Sequence, residues 1–249
     1  MSNIKLTHKI LVMLLMFLGM FIFIFIRPPI PQDIKYHQFA DEVLFLGIPH
    51  FFDVLSNFIF LVVGWFGIAE ALKNENLVAR RSWIVFFISI FLIGPGSAYY
   101  HWNPNNETLV WDRLPMGAGF MVLYLILLIE HVSESLEKYL MPFLLTGIAS
   151  VVIWAIWDDL RFYFWVQFSS FLCIPLILLT FESKYQTKSG YYFCLLFYFI
   201  AKLTETFDHQ ISAFTSDLIT GHTLKHLLAG LGLWFLVKMI RVRHPAINS

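Results

Sequence analysis

Three histidines, one serine and one aspartate stand at spacings that suggest chemistry. His222 and His226 lie four residues apart in Gly221-His222-Thr223-Leu224-Lys225-His226. On a helix this interval stacks two imidazoles on one face, one turn apart, where they can share an ion. Ser97 and His101 repeat the interval in Gly94-Pro95-Gly96-Ser97-Ala98-Tyr99-Tyr100-His101, and Asp112 follows in Trp111-Asp112-Arg113-Leu114-Pro115. A third imidazole from His101 completes the three-nitrogen set typical of catalytic zinc, with the fourth position open to water or substrate. Asp112 is then a carboxylate for proton transfer rather than a ligand. The bland alternative stays open, because single histidines and serines often pack or bond to backbone, and one i,i+4 pair arises easily by chance.

The elements that must position these residues are strongly apolar. Of 249 residues, 58% are hydrophobic and 14% charged, with 27 Phe, 8 Trp and a mean hydropathy of +0.70. An ordinary soluble domain is roughly 45–50% apolar and about 25% charged, so a water-soluble globule is excluded. A membrane crossing takes about 20 apolar residues, which leaves room for at most eight or nine crossings and no second, soluble domain. The apolar runs predict eight spans, near 10–26, 52–72, 82–101, 110–130, 139–157, 162–181, 190–206 and 219–240. They are apolar all round rather than alternating, which predicts an all-α, multi-pass transmembrane helical bundle and not a barrel. A balance of 17 basic against 17 acidic residues offers no electrostatic hold on nucleic acid. Cys173 and Cys194 lie inside apolar runs and read as small buried thiols.

Cations in the connections set the expected orientation. Lys5, Lys9, Lys73, Arg80, Arg81, Lys138, Lys184, Lys188, Lys238, Arg241 and Arg243 fall on one side, and only Arg27, Lys35, Arg161 and Lys202 on the other. This places both termini in the cytoplasm. The first run resembles a signal peptide, but its length, and Arg27-Pro28-Pro29 where a small-residue cleavage site would stand, predict a retained anchor.

In this topology the third span ends, and the second, fourth and eighth begin, on the non-cytoplasmic side. Asp53, Ser56 and Asn57 therefore reach the depth of Ser97, His101, Asp112, His222 and His226. An ionisable group in mid-span costs about 2.5–3.5 kcal/mol on insertion scales, so such a set needs partners or a task. The remaining polar residues read as mainly structural. Arg113 is a helix-end ion pair or snorkels. Lys225 snorkels or contacts a headgroup. Asp158, Asp159 and Arg161 form a solvated turn, and Glu205, Asp208 and His209 are loop residues or line the site mouth. Asn106-Glu107-Thr108 is a chance sequon, and Trp and Tyr at the span ends form an interfacial belt.

The stretches Asp53-Val54-Leu55-Ser56-Asn57, Gly96-Ser97-Ala98-Tyr99-Tyr100-His101, Trp111-Asp112-Arg113-Leu114-Pro115-Met116 and Gly221-His222-Thr223-Leu224-Lys225-His226 together resemble the alkaline ceramidase family. That family belongs with membrane hydrolases that include the adiponectin-receptor-like proteins. The similarity runs from about Phe39 to Trp234. It implies a seven-helix core with zinc on His101, His222 and His226, a catalytic Asp112, and Ser97 assisting at the reacting carbonyl. It also implies hydrolysis of the ceramide amide to a sphingoid base and a fatty acid. The chain then divides into an N-terminal anchor helix and linker, 1–38, and a hydrolase core, 39–249.

Two positions depart from the animal enzymes. Those bind calcium with a carboxylate six residues before the Ser-Asn pair, where this chain has His50, a poor ligand for a hard cation. Calcium is therefore not expected, although Asp41, Glu42 and Asp53 leave carboxylates nearby. Lys225 stands where animal enzymes tend to carry an aromatic residue, and in this the chain is more like bacterial members. The partner expected is a ceramide-like membrane lipid. Two rivals remain: a hydrolase of the same superfamily acting on another acyl lipid, and a transporter or receptor with an intramembrane polar site. Against a transporter, no two halves with matching broken spans are visible.

Overall fold

The computed structural model describes residues 3–183, 185 and 187–243. Lys184, one of the cations used for orientation, lies outside them, as do residues 244–249 of the expected core. In lipid, each backbone N–H and C=O must find its partner within its own segment, so apolar runs become helices. They are α1 (Asn3–Phe25), α2 (Phe51–Ser56), α3 (Phe58–Lys73), α4 (Arg80–Trp102), α5 (Asn106–His131), α6 (Leu140–Trp157), α7 (Arg161–Thr180), α8 (Ser189–Thr206), α9 (Asp208–Phe214) and α10 (Gly221–Arg241). Among the described residues there is no strand, and the chain is an all-α multi-pass bundle.

Each expected span falls on a helix. The second is built from α2 and α3, which part at Asn57, whose Nδ2 donates to Asp53 O at 2.8 Å. Among the described residues, seven segments are long and apolar enough to cross a membrane. The α8 helix is not one of them, since its last turns carry Lys202, Thr204, Glu205 and Thr206. The central post is α5, buried on every face from Met121 to His131 and packed on α4, α6 and α7. The series continues from α4 to α3, from α3 to α10 and from α10 to α8, while α1 lies outside, against α7. There Trp165 Nε1 donates to Phe17 O at 3.2 Å, and Lys9 donates to Thr180 O at the carbonyl end of α7.

Two groups of charges are paired. Asp158, Asp159 and Arg161 form a turn near solvent that also acts as a clasp. Arg161 pairs with Asp159 at 2.6 Å and donates to Arg27 O at 2.7 Å, while Ile30 N and Gln32 N donate to Asp159 and Asp158 at 3.3 and 3.0 Å. The linker after α1 has no helix or sheet of its own at these positions, so its backbone donors are satisfied here. The Arg161 guanidinium also holds the Asp159 carboxyl below the usual carboxylate range. Arg243, one of the cations counted in the connections, is 3% exposed and ion-paired with Glu130 of α5. Trp83 Nε1 and Tyr191 Oη donate to the same carboxylate at 3.1 and 2.8 Å.

Candidate metal centre

The polar ends of α2, α4, α5 and α10 meet, and proline and glycine explain how α4 and α5 come so close. Pro115 has no N–H, so the Trp111 carbonyl one turn earlier loses its helical donor. That carbonyl faces Gly96, where a Cβ would lie 2.3 Å from Trp111 O. Any larger residue would hold the helices apart. The neighbours on either side of this crossing are Ser97 and Asp112, and the Ser97 hydroxyl lies against the Asp112 carboxyl.

A polar lattice fixes the start of α10. Thr220 caps it, accepting from Thr223 N at 3.1 Å. The hydroxyls of Thr220 and Thr223 donate to Asp53 Oδ1 at 3.2 and 2.6 Å, and His222 N donates to Asp208 Oδ1 at 2.7 Å. Two carboxylates thus sit at a helix N-terminus, where the dipole favours negative charge. Gly221 is required here, because a Cβ would lie 2.1 Å from Thr204 O of α8.

This frame brings His101, His222 and His226 together with ring centroids 4.7, 4.9 and 5.0 Å apart, each ring at most 4% exposed. Their potential ligand atoms all lie within 4.8 Å of one another. A tetrahedral set at zinc distances needs nitrogens about 3.3 Å apart, a difference small side-chain rotations cover. Both ring nitrogens of His101, and Nε2 of His226, are buried with no hydrogen-bond partner among the described residues. The other nitrogen of His226, Nδ1, lies 2.7 Å from Ser56 Oγ, whose own proton goes to Asp53 O at 3.0 Å. Ser56 must therefore accept from Nδ1–H, which leaves the Nε2 lone pair free for an ion. His222 Nε2 accepts from Lys225 Nζ at 2.9 Å, and Lys225 is also held by Glu205 at 2.8 Å. Phe39 walls the group, its ring centred 4.5 Å from that of His101 and 4.7 Å from that of His222. Buried nitrogens without partners, set among rings and helix ends, suit a borderline-soft divalent ion such as zinc.

Of the carboxylates considered for calcium, Asp53 has one oxygen bonded to Thr220 and Thr223 and the other, Oδ2, buried without a partner among the described residues. Asp41 accepts from Val43 N at 3.1 Å and Asp53 N at 2.9 Å, and its own carbonyl accepts from His50 Nδ1. Glu42 is exposed. The three histidines are the one group of three metal-capable side chains among the described residues.

A cavity with about 1300 Å³ of atom-free space, partly open to the outside, reaches this centre between α4, α5, α7, α8 and α10. Ser97, Asp112 and His226 stand at its polar part, while Phe86, Ile90, Phe120, Phe171 and Leu233 line its apolar length. Glu205 and Lys225 also face it. Sequence reasoning gave Glu205 and Asp208 mainly to loops; Glu205 ends α8 in an ion pair, and Asp208 opens α9 and holds α10. It gave no task to Ser56 and did not single out Phe39. The readable signal was Thr220 directly before Gly221-His222, a cap that fixes the register of both α10 histidines. Asn106-Glu107-Thr108 has a structural use as well, since Asn105 and Thr108 form the capping box of α5 and Asn106 Oδ1 lies 2.9 Å from His37 Nε2.

Fold and site define a class: a multi-pass helical membrane protein with three convergent histidines and a Ser–Asp pair at the polar end of an apolar cavity. The family model for ceramidases matches residues 47–245, and the chain belongs to the ceramidase family, which makes it a hydrolase with a lipid substrate. A search of curated proteins finds no match.

Proposed function

We propose that the chain is a zinc-dependent intramembrane amidase that cleaves the N-acyl amide of ceramide or a ceramide-like lipid. The observation that carries this is the set of partnerless nitrogens on His101 and His226, beside Ser97 and Asp112, at the end of a lipid-sized cavity. His101, His222 and His226 would hold the zinc, which when bound polarises a carbonyl and brings the pKa of water toward about 7. Asp112 takes the proton of the attacking water and delivers it to the leaving nitrogen, so that amide and water become fatty acid and free amine. Ser97 turns its hydroxyl from Asp112 to the oxygen that gains charge, a donation typically worth about 2.7–4 kcal/mol. Ser56 holds His226 in the tautomer with a free Nε2. Phe39 keeps bulk water from the histidines, and the apolar length of the cavity accepts the chains of a substrate already dissolved in the bilayer.

On this reading residues 1–38 form an anchor and linker and residues 39–249 the catalytic core. Both termini face the cytoplasm, with the site near the opposite surface. The test is incubation of purified protein with lipid extracts, with products read by mass spectrometry and metal by elemental analysis. Release of a sphingoid base and a fatty acid by zinc-containing protein is the expected result. Cleavage of ester lipids alone would assign a different acyl hydrolase activity, and lipid binding by zinc-free protein without turnover would sink the amidase.

A further inference from the structure

Arg113 is 5% exposed, yet its guanidinium makes no hydrogen bond or ion pair with the described residues, and its Nη1 is fully buried without a partner. Tyr36, Trp154 and Tyr163 surround it, their ring centroids 5.3, 4.3 and 5.0 Å from Cζ. Ring faces attract a cation but offer no acceptor to its five N–H donors, and neither tyrosine hydroxyl accepts from it: that of Tyr36 bonds to Glu205 instead. The chain contains a finished version of the same cage. Arg243 lies against Trp83, Tyr185 and Tyr191, and there the carboxylate of Glu130 fills the fork. Arg113 has the rings and lacks the acid. Its chain neighbour Asp112 is turned to Ser97, and the space Arg113 faces is the cavity.

The charge of the cavity points the same way. Arg113, Lys202 and Lys225 line it against the two carboxylates Asp112 and Glu205, and both lysines share Glu205. A cationic side chain is left over before any metal is counted. A buried guanidinium calls for an acceptor, and its planar fork fits two oxygens of one acidic group.

We propose that Arg113 is an anion subsite of the cavity, taking an acidic oxygen group, a phosphate, sulfonate or carboxylate, of the lipid or lipid product bound there. This rests on the cavity being the lipid site proposed above. Two sources share the chemistry: an acidic headgroup on the intact lipid and the carboxylate of a released fatty acid.

Binding measured without turnover tests this apart from the amidase reading. In an Asp112→Asn background, zinc-loaded protein in nanodiscs is titrated with an N-acylsphingosine, its 1-phosphate, a free fatty acid and the matching fatty alcohol. Tighter binding of the phosphate than of the neutral lipid, by at least about tenfold, lost in Arg113→Gln and partly kept in Arg113→Lys, supports an acidic headgroup. The same gain for the fatty acid over its alcohol, with none for the phosphate, supports the subsite and assigns it to the product. Equal binding within each pair overturns the proposal, even if neutral ceramide is hydrolysed. If Arg113→Gln does not fold, the preference of the protein with Arg113 intact and its persistence in Arg113→Lys decide the matter.

Discussion

The two ends of the bundle both bury charge, and they do so in opposite ways. At one end Glu130 is wholly buried and receives Trp83, Tyr191 and Arg243, so the carboxylate and its guanidinium answer each other. At the other, His101, His226 and Arg113 present buried nitrogens with no partner among the described residues, inside a lattice where Asp53, Thr220, Thr223, Asp208 and Ser56 are hydrogen-bonded. Unpaired polar atoms away from water are costly and rare in folded proteins. A network closed on itself ties helices together. One held rigid by its surroundings but open at its centre is the arrangement that the proposed ion and lipid would complete.

The comparison breaks most visibly if the open end does not depend on metal. His101→Ala, His222→Ala and His226→Ala are each expected to abolish zinc binding and turnover together, because two protein ligands seldom hold a catalytic zinc. One zinc per chain before mutation, and unchanged content afterwards, would make the histidines a packing cluster. Next in size, Asp112→Asn is expected to retain zinc and lose activity by about 10²–10⁴-fold, since an amide does not take the water proton. Ser97→Ala is expected to retain zinc and lose roughly 10²–10³-fold. Near-normal hydrolysis in both would remove the catalytic assignment.

The closed end should behave in the reverse manner. Glu130→Gln strands the Arg243 charge and is expected to lower stability by about 3–5 kcal/mol, seen as a lower unfolding temperature, with zinc content intact. Zinc loss without loss of stability would show that the two ends are not independent. A smaller effect is expected at the clasp, which is both satisfied and near solvent. The Asp159 carboxyl is held low by Arg161. Its contribution is present above the unfolded value near about 3.9 and is lost as pH falls through the depressed folded value. Protection of the Ile30 amide, which donates to Asp159, from hydrogen exchange should fall only in acid, and Asp159→Asn should remove that dependence. Finally, orientation is read by impermeant thiol labelling in intact cells. Arg81→Cys and Glu107→Cys, both at exposed positions, are the informative pair. Only Glu107→Cys is expected to react from outside.

By itself the sequence determined the helical membrane class and which stretches become helices, because the bilayer demands long apolar runs and leaves helices as the simple solution. It also made His101, Asp112, His222 and His226 candidates, since their interruption of such runs is expensive enough to stand out. Pairing was another matter. Whether a polar atom is satisfied depends on residues far away in the chain: Ser56 against His226, Glu205 against Lys225, Asp208 against the backbone of His222. Arg113 and Arg243 are both cations near span ends, and nothing local separates them. Only the tertiary structure decided that one meets a carboxylate and the other three rings without one, because a hydrogen bond is a matter of a few ångströms between helices, which spacing along a single helix does not encode.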